Sequence, residues 1–570
     1  MRLGIDFGTS HTKLGYIDDN RFINLAGSNN SIPSVVTYLP AKQKLYFGHL
    51  AIRLEDPKAY SAHLFKLALK RDPAFCLGPY TLSGILTQFF AFLNNTYVLP
   101  HIIDFDSIVV SIPNYFGLNA RRILLNAVRA GFNLDQVELL LEPIAAVIGY
   151  SFSGQLKQIN GDILSIDVGG GTTDFSFLSI SGDSNDVVIE SQFQIGNDAF
   201  SGSEIDRGIL RNILLPAYKI QTGLELPTGI LTEKCILAKD RYLFNRLLQI
   251  SEKIKIEAGV KDTISVDIPD FYKGQSLLFS LPKETFKLQL QPIFERFKIY
   301  FNQLVKPRAQ KLNLYTANNK WNLDYIFLFG GASQTPGILE LVKELCPDIP
   351  VIIPNDPYFN VVKGLCARDN FPYFGSMKAL YPFSFCIEQK ETHQDSNSLY
   401  IIPFDTGNLP LDINGRYKIF SIAPTSIYNL AGDSNRVCFK IFEVTEEEAN
   451  LTVERFSGQE IVLQVDTGID SFSDIADIYL NFARSELELK ISKQPAKHLL
   501  MEDDIFDKLH NKQRLALNLV KEYKLHNLRL IKDYSRHFNK MEKTTQKPYA
   551  NHLETTFYKV LALLQFLSGK

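Results

Sequence analysis

The stretch "SIDVGGGTTDFSFLSI", Ser165–Ile180, carries the decision about fold. An apolar strand runs into Asp167, passes through Gly169, Gly170, Gly171, Thr172 and Thr173, and leaves along a second strand that begins at Asp174. Glycine suits such a turn because it tolerates positive φ and lets an anion approach the backbone N–H groups. The threonines add hydroxyl donors. The aspartate would repel a phosphate but can hold Mg2+ through its waters, and the ion then bridges to phosphate. "GIDFGTSHTKLGYI", Gly4–Ile17, repeats the plan with Asp6, Gly8, Thr9 and Ser10. Two such hairpins facing one another would grip a triphosphate from both sides. The doubling implies an internal duplication, two α/β lobes with a nucleotide in the cleft. Each hairpin taken alone reads equally as an ordinary glycine-rich turn. The other common phosphate signatures, GxxxxGK[ST] and GxGxxG, are missing.

A third signal is "FLFGGASQTPGILELVKEL", Phe327–Leu345. A buried strand ends in Gly330–Gly331 and a helix is expected to start near Pro336. Paired glycines let a flat base or ribose pack on the backbone, although a plain strand–turn–helix connection has the same look.

The chain of 570 residues is long enough for roughly three to four domains. A net charge of −2 gives no reason to expect a nucleic acid or an anionic membrane as partner. No window approaches the ~20 apolar residues of a membrane span, and no signal peptide is legible. The six cysteines are scattered without metal-ligand spacing, as for free thiols in a reducing compartment. The expected location is cytoplasmic.

Strand-like and helix-like runs alternate up to about residue 370: "SIVVSIP", "LNARRILLNAVRAGF" (a helix expected to end at its glycine), "DILSIDV", "SEIDRGILRNILLPAY", "FNRLLQISEKIKIEAG" and "LDYIFLFGG". Later, "RVCFKIFEV", "EIVLQVDTG", "DIYLNFA" and "LELKISK" alternate with a period near two and read as an all-β module. From about Met501 leucines recur at helical spacing among many charges. The expected plan is multidomain: an α/β two-lobed nucleotide-binding domain over 1–370, a linker at 371–385, a β-sandwich over 386–495 and a short helical domain over 496–570.

Paired phosphate hairpins with a late Gly-Gly turn resemble the actin, hexokinase and heat-shock ATPase superfamily. Within it, "IDFGTS", "SIPNYF", "LLLEPIAAVIGY", "IDVGGGTTD" and "FGGASQTPGI" resemble the DnaK-type heat shock protein 70 chaperones. The resemblance covers residues 1 to about 370 well and runs more loosely to about 492. It implies an actin-like ATPase domain, a peptide-holding β-sandwich and a helical lid. It implies slow hydrolysis of ATP to ADP, with Mg2+ and a monovalent cation such as K+, to control capture and release of unfolded or extended polypeptide clients. J-domain co-chaperones and nucleotide-exchange factors would be the further partners.

Residue by residue, the resemblance makes Gly8, Thr9 and Ser10 the first phosphate hairpin and Gly169, Gly170, Gly171, Thr172 and Thr173 the second. Asp6 and Asp167 would hold Mg2+ through water, and Asp174 would help place the monovalent cation. Lys66 would orient the attacking water, with Lys70 as the alternative register. Glu142 would sit near that water and Thr172 at the γ-phosphate. Gly202 and Ser203 match a glycine pair near the phosphates, with serine in the second place. Glu252 and Lys255 match an adenosine-contacting helix, and Gly330, Gly331 and Ala332 the adenosine turn. Pro113 and Arg121 match residues that relay nucleotide state outward.

The sequence departs from that family at His11, where asparagine or tyrosine is usual, and at Leu141, where asparagine is usual. The joint "RDNFPYFGSMKALYPFSF", Arg368–Phe385, is aromatic instead of acidic and leucine-rich. The helical segment is shorter than the usual lid, and no acidic tail follows. The loops "FDTGNLP" and "YNLAGDSNR" are candidates for a peptide groove by position only. The second functional reading is a slow ATP-binding docking protein with one dedicated partner.

Overall fold

The computed structural model describes residues 1–368, except 28–29, 55, 57, 73–74, 114, 154–159, 184–185, 198, 227–237 and 317; beyond 368 it describes eight strands between Phe383 and His498. The segment 499–570, and with it the expected helical domain, lies outside the described residues, as do the two groove-loop candidates.

The chain divides into two compact units. The first comprises Met1–Pro73, Ser83–Pro382 and Thr406–Leu411; the second comprises Ala74–Leu82, Phe383–Asp405 and Asp412–Lys570.

The first unit holds two sheets with one plan. In lobe I the strand order is Val137–Leu141, Ser107–Ile112, Arg2–Phe7, His11–Asp18, Arg21–Asn24, with the short strand Ile32–Pro33 also pairing His11–Asp18. In lobe II it is Val351–Ile352, Tyr325–Phe329, Gly161–Val168, Thr173–Asp183, Asp186–Asn197. Each sheet is an antiparallel meander of three strands followed by two parallel ones. The parallel strands are apolar on both faces, as burial under helices requires. The mixed α/β architecture and the internal duplication expected from the doubled hairpin are therefore present.

Lobe I packs its central strand on a phenylalanine cluster, Phe7 with Phe65, Phe89 and Phe90 at centroid distances of 5.8, 5.7 and 5.4 Å. Each such ring, fully buried, contributes about 1.5–3 kcal/mol. The helices Glu142–Phe152 and Asn360–Cys366 cross at two glycines. A Cβ on Gly149 would lie 2.0 Å from the Asn360 carbonyl oxygen, and one on Gly364 would lie 1.7 Å from that of Ala145. That approach fixes the first turn of Glu142–Phe152, which carries Glu142.

Two local expectations change. Helix Leu118–Phe132 does not stop at Gly131. It ends at Asn133, left-handed at φ 54°, whose N–H bonds the Arg129 carbonyl. Gly131 is instead a packing glycine, where a Cβ would sit 2.6 Å from Phe90 Cβ. The run after Ser201 is broken into helix Gly202–Ile209, a π turn Leu210–Leu214 and helix Leu215–Thr222, closed by Gly223.

In the second unit two four-stranded antiparallel sheets are described. One has the order Asn397–Tyr400, Phe383–Lys390, Cys438–Thr445, Leu463–Asp466. The other has Arg416–Ile422, Ala476–Asn481, Glu486–Ile491, Lys497–His498. All four β runs read from the sequence fall on these strands. The first strand begins at Phe383, inside the stretch expected to be linker.

Candidate active site

The two hairpins meet tip to tip. A Cβ on Gly170 would stand 2.2 Å from Ser10 Oγ, and one on Gly171 2.2 Å from Thr9 Cγ2. Any side chain there would force the tips apart, which is the physical reason for the glycines. The second tip is also tied to the next helix. Gly202 N–H donates to the Gly169 carbonyl at 2.9 Å and Ser203 N–H to that of Gly170 at 2.8 Å. The Ser203 hydroxyl donates to the same Gly170 carbonyl at 2.7 Å, so its side chain braces the loop.

The third signal closes over this point. Gly330, at φ 87°, lies where a Cβ would be 2.2 Å from Asp167 Oδ1, and Gly202 lies within reach of Gly170, Lys255 and Ala332. Lys255 Nζ is 2.8 Å from Asp206 Oδ1. Burial pushes Asp206 up to about 7 against the pull of that lysine. Glu252, one turn earlier, faces His11 across 3.9 Å. The structure thus gathers Gly8, Thr9, Ser10, Gly169, Gly170, Gly171, Gly202, Lys255, Gly330 and Ala332 round one spot.

Lys66 is 4% exposed, and its Nζ donates to Glu142 Oε1 at 2.8 Å. The ammonium lies 5.6 and 5.8 Å from the rings of Phe7 and Phe116. A short 3-10 turn, Phe65–Leu67, carries it inward after Leu64, which adopts φ 59°. That left-handed conformation costs a leucine roughly 1–2 kcal/mol. Such strain gathers at functional sites. Lys70 is exposed and lies over the Tyr115 ring at 4.3 Å, so of the two register candidates only Lys66 meets Glu142.

Thr172 commits its hydroxyl to Asp174 Oδ2 at 2.9 Å. Thr173 is fully buried at the start of its strand, and its Oγ1 has no partner among the described residues, so it lies behind the loop. Arg121 is buried, donating from Nε to the Phe116 carbonyl at 2.6 Å.

Asp167 and Asp174 stand opposite each other in strand register. Burial, then repulsion from Glu142 and from each other, pushes Asp167 well above the usual carboxylate range. Burial and Glu142 raise Asp174 to about 7. Asp174 Oδ1 has no hydrogen-bond partner among the described residues. Two enclosed carboxylates with an uncommitted oxygen are a donor set that suits a hard cation. Among the described residues no three His, Cys, Asp or Glu side chains converge on one point as direct ligands.

Four features of the site were not anticipated. Asp6 accepts from Lys13 Nζ at 2.9 Å on Oδ2 and from Ser111 Oγ at 2.9 Å on Oδ1. Lys13 also lies 4.4 Å from the centroid of Tyr358, whose hydroxyl donates to Ser31 Oγ at 2.6 Å. Asp206 is the fourth, after Lys13, Ser111 and Tyr358. Lys13 could have been found by counting: a four-residue turn at Gly8–His11 pairs residue 7 with 12 and puts residue 13 opposite residue 6. Tyr358 gave no such signal.

Comparisons with known proteins were made with this geometry in hand. Residues 96–350 match the Hsp70 protein family. Similar proteins include chaperone protein DnaK of Ureaplasma urealyticum serovar 10, 25% identical over 353 residues, covering 60% of this chain and 54% of that protein. Chaperone protein dnaK1 of Prochlorococcus marinus subsp. pastoris is 24% identical over 384 residues, with 61% and 53% covered. Chaperone protein DnaK of Thermus thermophilus is 28% identical over 243 residues, with 42% and 35% covered. The chain spans about half the length of these Hsp70-family relatives, or less. Among the described residues no helix is long and apolar enough to cross a membrane, and Cys346 and Cys366 are free thiols.

Proposed function

We propose that the chain is an Hsp70-like, ATP-dependent chaperone that binds ATP between the two hairpins and hydrolyses it. The observation that carries this reading is the buried Lys66–Glu142 pair beside two hairpin tips in contact. Phosphoryl transfer to water needs positioning and charge neutralisation more than covalent chemistry. The glycine tips would offer backbone N–H groups to the phosphates. Lys66 would hold the attacking water in line while Glu142 accepts a hydrogen bond from it. Gly330–Ala332, with Glu252 and Lys255, would hold the nucleoside. Asp167, with Asp174 behind it, would hold Mg2+ and a monovalent cation through water; when bound, Mg2+ neutralises charge developing on the phosphates.

The second unit would hold extended apolar segments of unfolded polypeptides by β-type hydrogen bonds. Nucleotide state would set its affinity for them through differential binding to two conformations. The test is ATP turnover by the full chain with Mg2+, with and without a reduced, denatured polypeptide. Slow turnover that the polypeptide accelerates supports the reading. Turnover no greater than that of Lys66→Met would end it.

A further inference from the structure

We propose that Lys13 is a second phosphate-binding cation of this cleft, presented by the first hairpin and seated on Tyr358. The proposal rests on the reading that the cleft takes ATP.

The register comes first. Asp6 faces Lys13 in lobe I as Asp167 faces Asp174 in lobe II. The duplicated hairpins therefore place a lysine and an aspartate at equivalent positions. In lobe II the result is a pair of carboxylates. In lobe I it is an ion pair, closed at 2.9 Å and largely buried.

An ammonium has three N–H donors. Among the described residues the one hydrogen bond from Lys13 goes to Asp6, and the Tyr358 ring covers one side of it at 4.4 Å. Two donors are left in an enclosed place, where an unpaired polar group is costly. The bond to Asp6, its register partner, keeps the Lys13 ammonium on the face of the sheet that carries that carboxylate. Tyr358 also packs beneath the Gly331 turn, where a Cβ would stand 2.8 Å from its Cδ2. The ring thus holds the ammonium between the first hairpin tip and the glycine turn, along the line a nucleotide would occupy. Asp6, with a donor already on each oxygen, is the poorer of the two hairpin aspartates for water-bound Mg2+. Charge neutralisation is divided accordingly, a fixed cation on the lobe I side and exchangeable cations on the lobe II side.

The experiment measures equilibrium binding of ADP, ATP and adenosine to the full chain, each with Mg2+ and with chelator. Wild type is expected to lose only about 10-fold in ADP affinity on chelation, because a charge-assisted bond from Lys13 remains. Lys13→Met is expected to weaken ADP and ATP by about 10- to 100-fold while leaving adenosine within about 2-fold, with the larger loss under chelation. Lys13→Arg should recover part of the loss. Tyr358→Leu, which keeps the charge and removes its seat, should give a smaller loss of the same pattern. Equal weakening of adenosine and ADP by Lys13→Met would assign the lysine a structural role and overturn the proposal. So would ADP binding by Lys13→Met equal to wild type. Should Lys13→Met fail to fold, wild type decides: loss of more than about 1,000-fold on chelation overturns the proposal, since Lys13 then contributes too little alone. Wild type that binds no nucleotide even with Mg2+ overturns the ATP reading itself, a distinct result.

Discussion

The two glycine hairpins share a backbone and differ in charge. Both run strand, aspartate, glycine tip, strand, and both open a sheet of the same order. In lobe I the aspartate is satisfied by Lys13 and Ser111. In lobe II Asp167 is crowded by Asp174 and Glu142 and held well above its ordinary pKa. The aspartate of the first hairpin is neutralised by its own lysine, and that of the second is left electrostatically incomplete. Duplication thus preserved the backbone plan of the hairpin, while the residue opposite each aspartate changed its charge balance.

The largest expected effect comes from removing one carboxylate from each hairpin. Asp6→Asn leaves Lys13 buried without its partner and is expected to cost about 3–5 kcal/mol in ligand-free stability. Asp174→Asn removes a like charge instead and should leave the ligand-free melting temperature unchanged or higher. Chemical denaturation of the two variants side by side checks the contrast; equal losses would break it.

Next comes Lys66. Lys66→Met is expected to lower ATP turnover by about 100-fold or more while nucleotide affinity stays within a few-fold. Lys70→Met, at an exposed lysine over the Tyr115 ring, should lower turnover by far less, within about 10-fold. Single-turnover kinetics separate binding from chemistry.

A smaller effect tests the tip contact. Gly171→Ala drives a methyl to within 2.2 Å of Thr9 Cγ2 and should weaken ATP by about 10-fold. Gly169→Ala meets the Thr172 carbonyl at 3.0 Å and Asp167 Oδ1 at 4.0 Å, and should do less. Titration of both variants with ATP ranks them.

The smallest effect is a pH dependence. Burial lowers His11 below 6.5, against the pull of Glu252. The folded state then binds fewer protons than the unfolded one as pH falls through 6.5, so stability is lost in that direction and kept above it. His11→Gln should flatten the melting temperature between about pH 5 and 7, by a few degrees at most.

Much of the first unit was legible because glycine, aspartate and β-branched runs have few alternative readings. The hairpins, the Gly330–Gly331 turn and the crossing strands all fall where the residues point. Helix ends were less legible: Gly131 has the composition of a stop but serves packing, and the true stop is Asn133, a weaker signal. Lys13 escaped because a lysine on a strand next to aspartates looks like a solvated charge until register is counted. Tyr358 escaped because its partners, Lys13 and Ser31, lie more than three hundred residues away in sequence. Local pattern carries no trace of such a pairing.

Trp321, the chain's one tryptophan, is 5% exposed, with its indole N–H on the Leu345 carbonyl at 3.2 Å and Tyr315 at 4.5 Å. It sits in the lobe II core and away from solvent. Its emission should be blue-shifted, insensitive to small quenchers, and little altered by a ligand that touches only the hairpin tips. The indole is therefore a built-in optical gauge of whether the lobe II core is intact, read separately from whatever label is placed on the nucleotide.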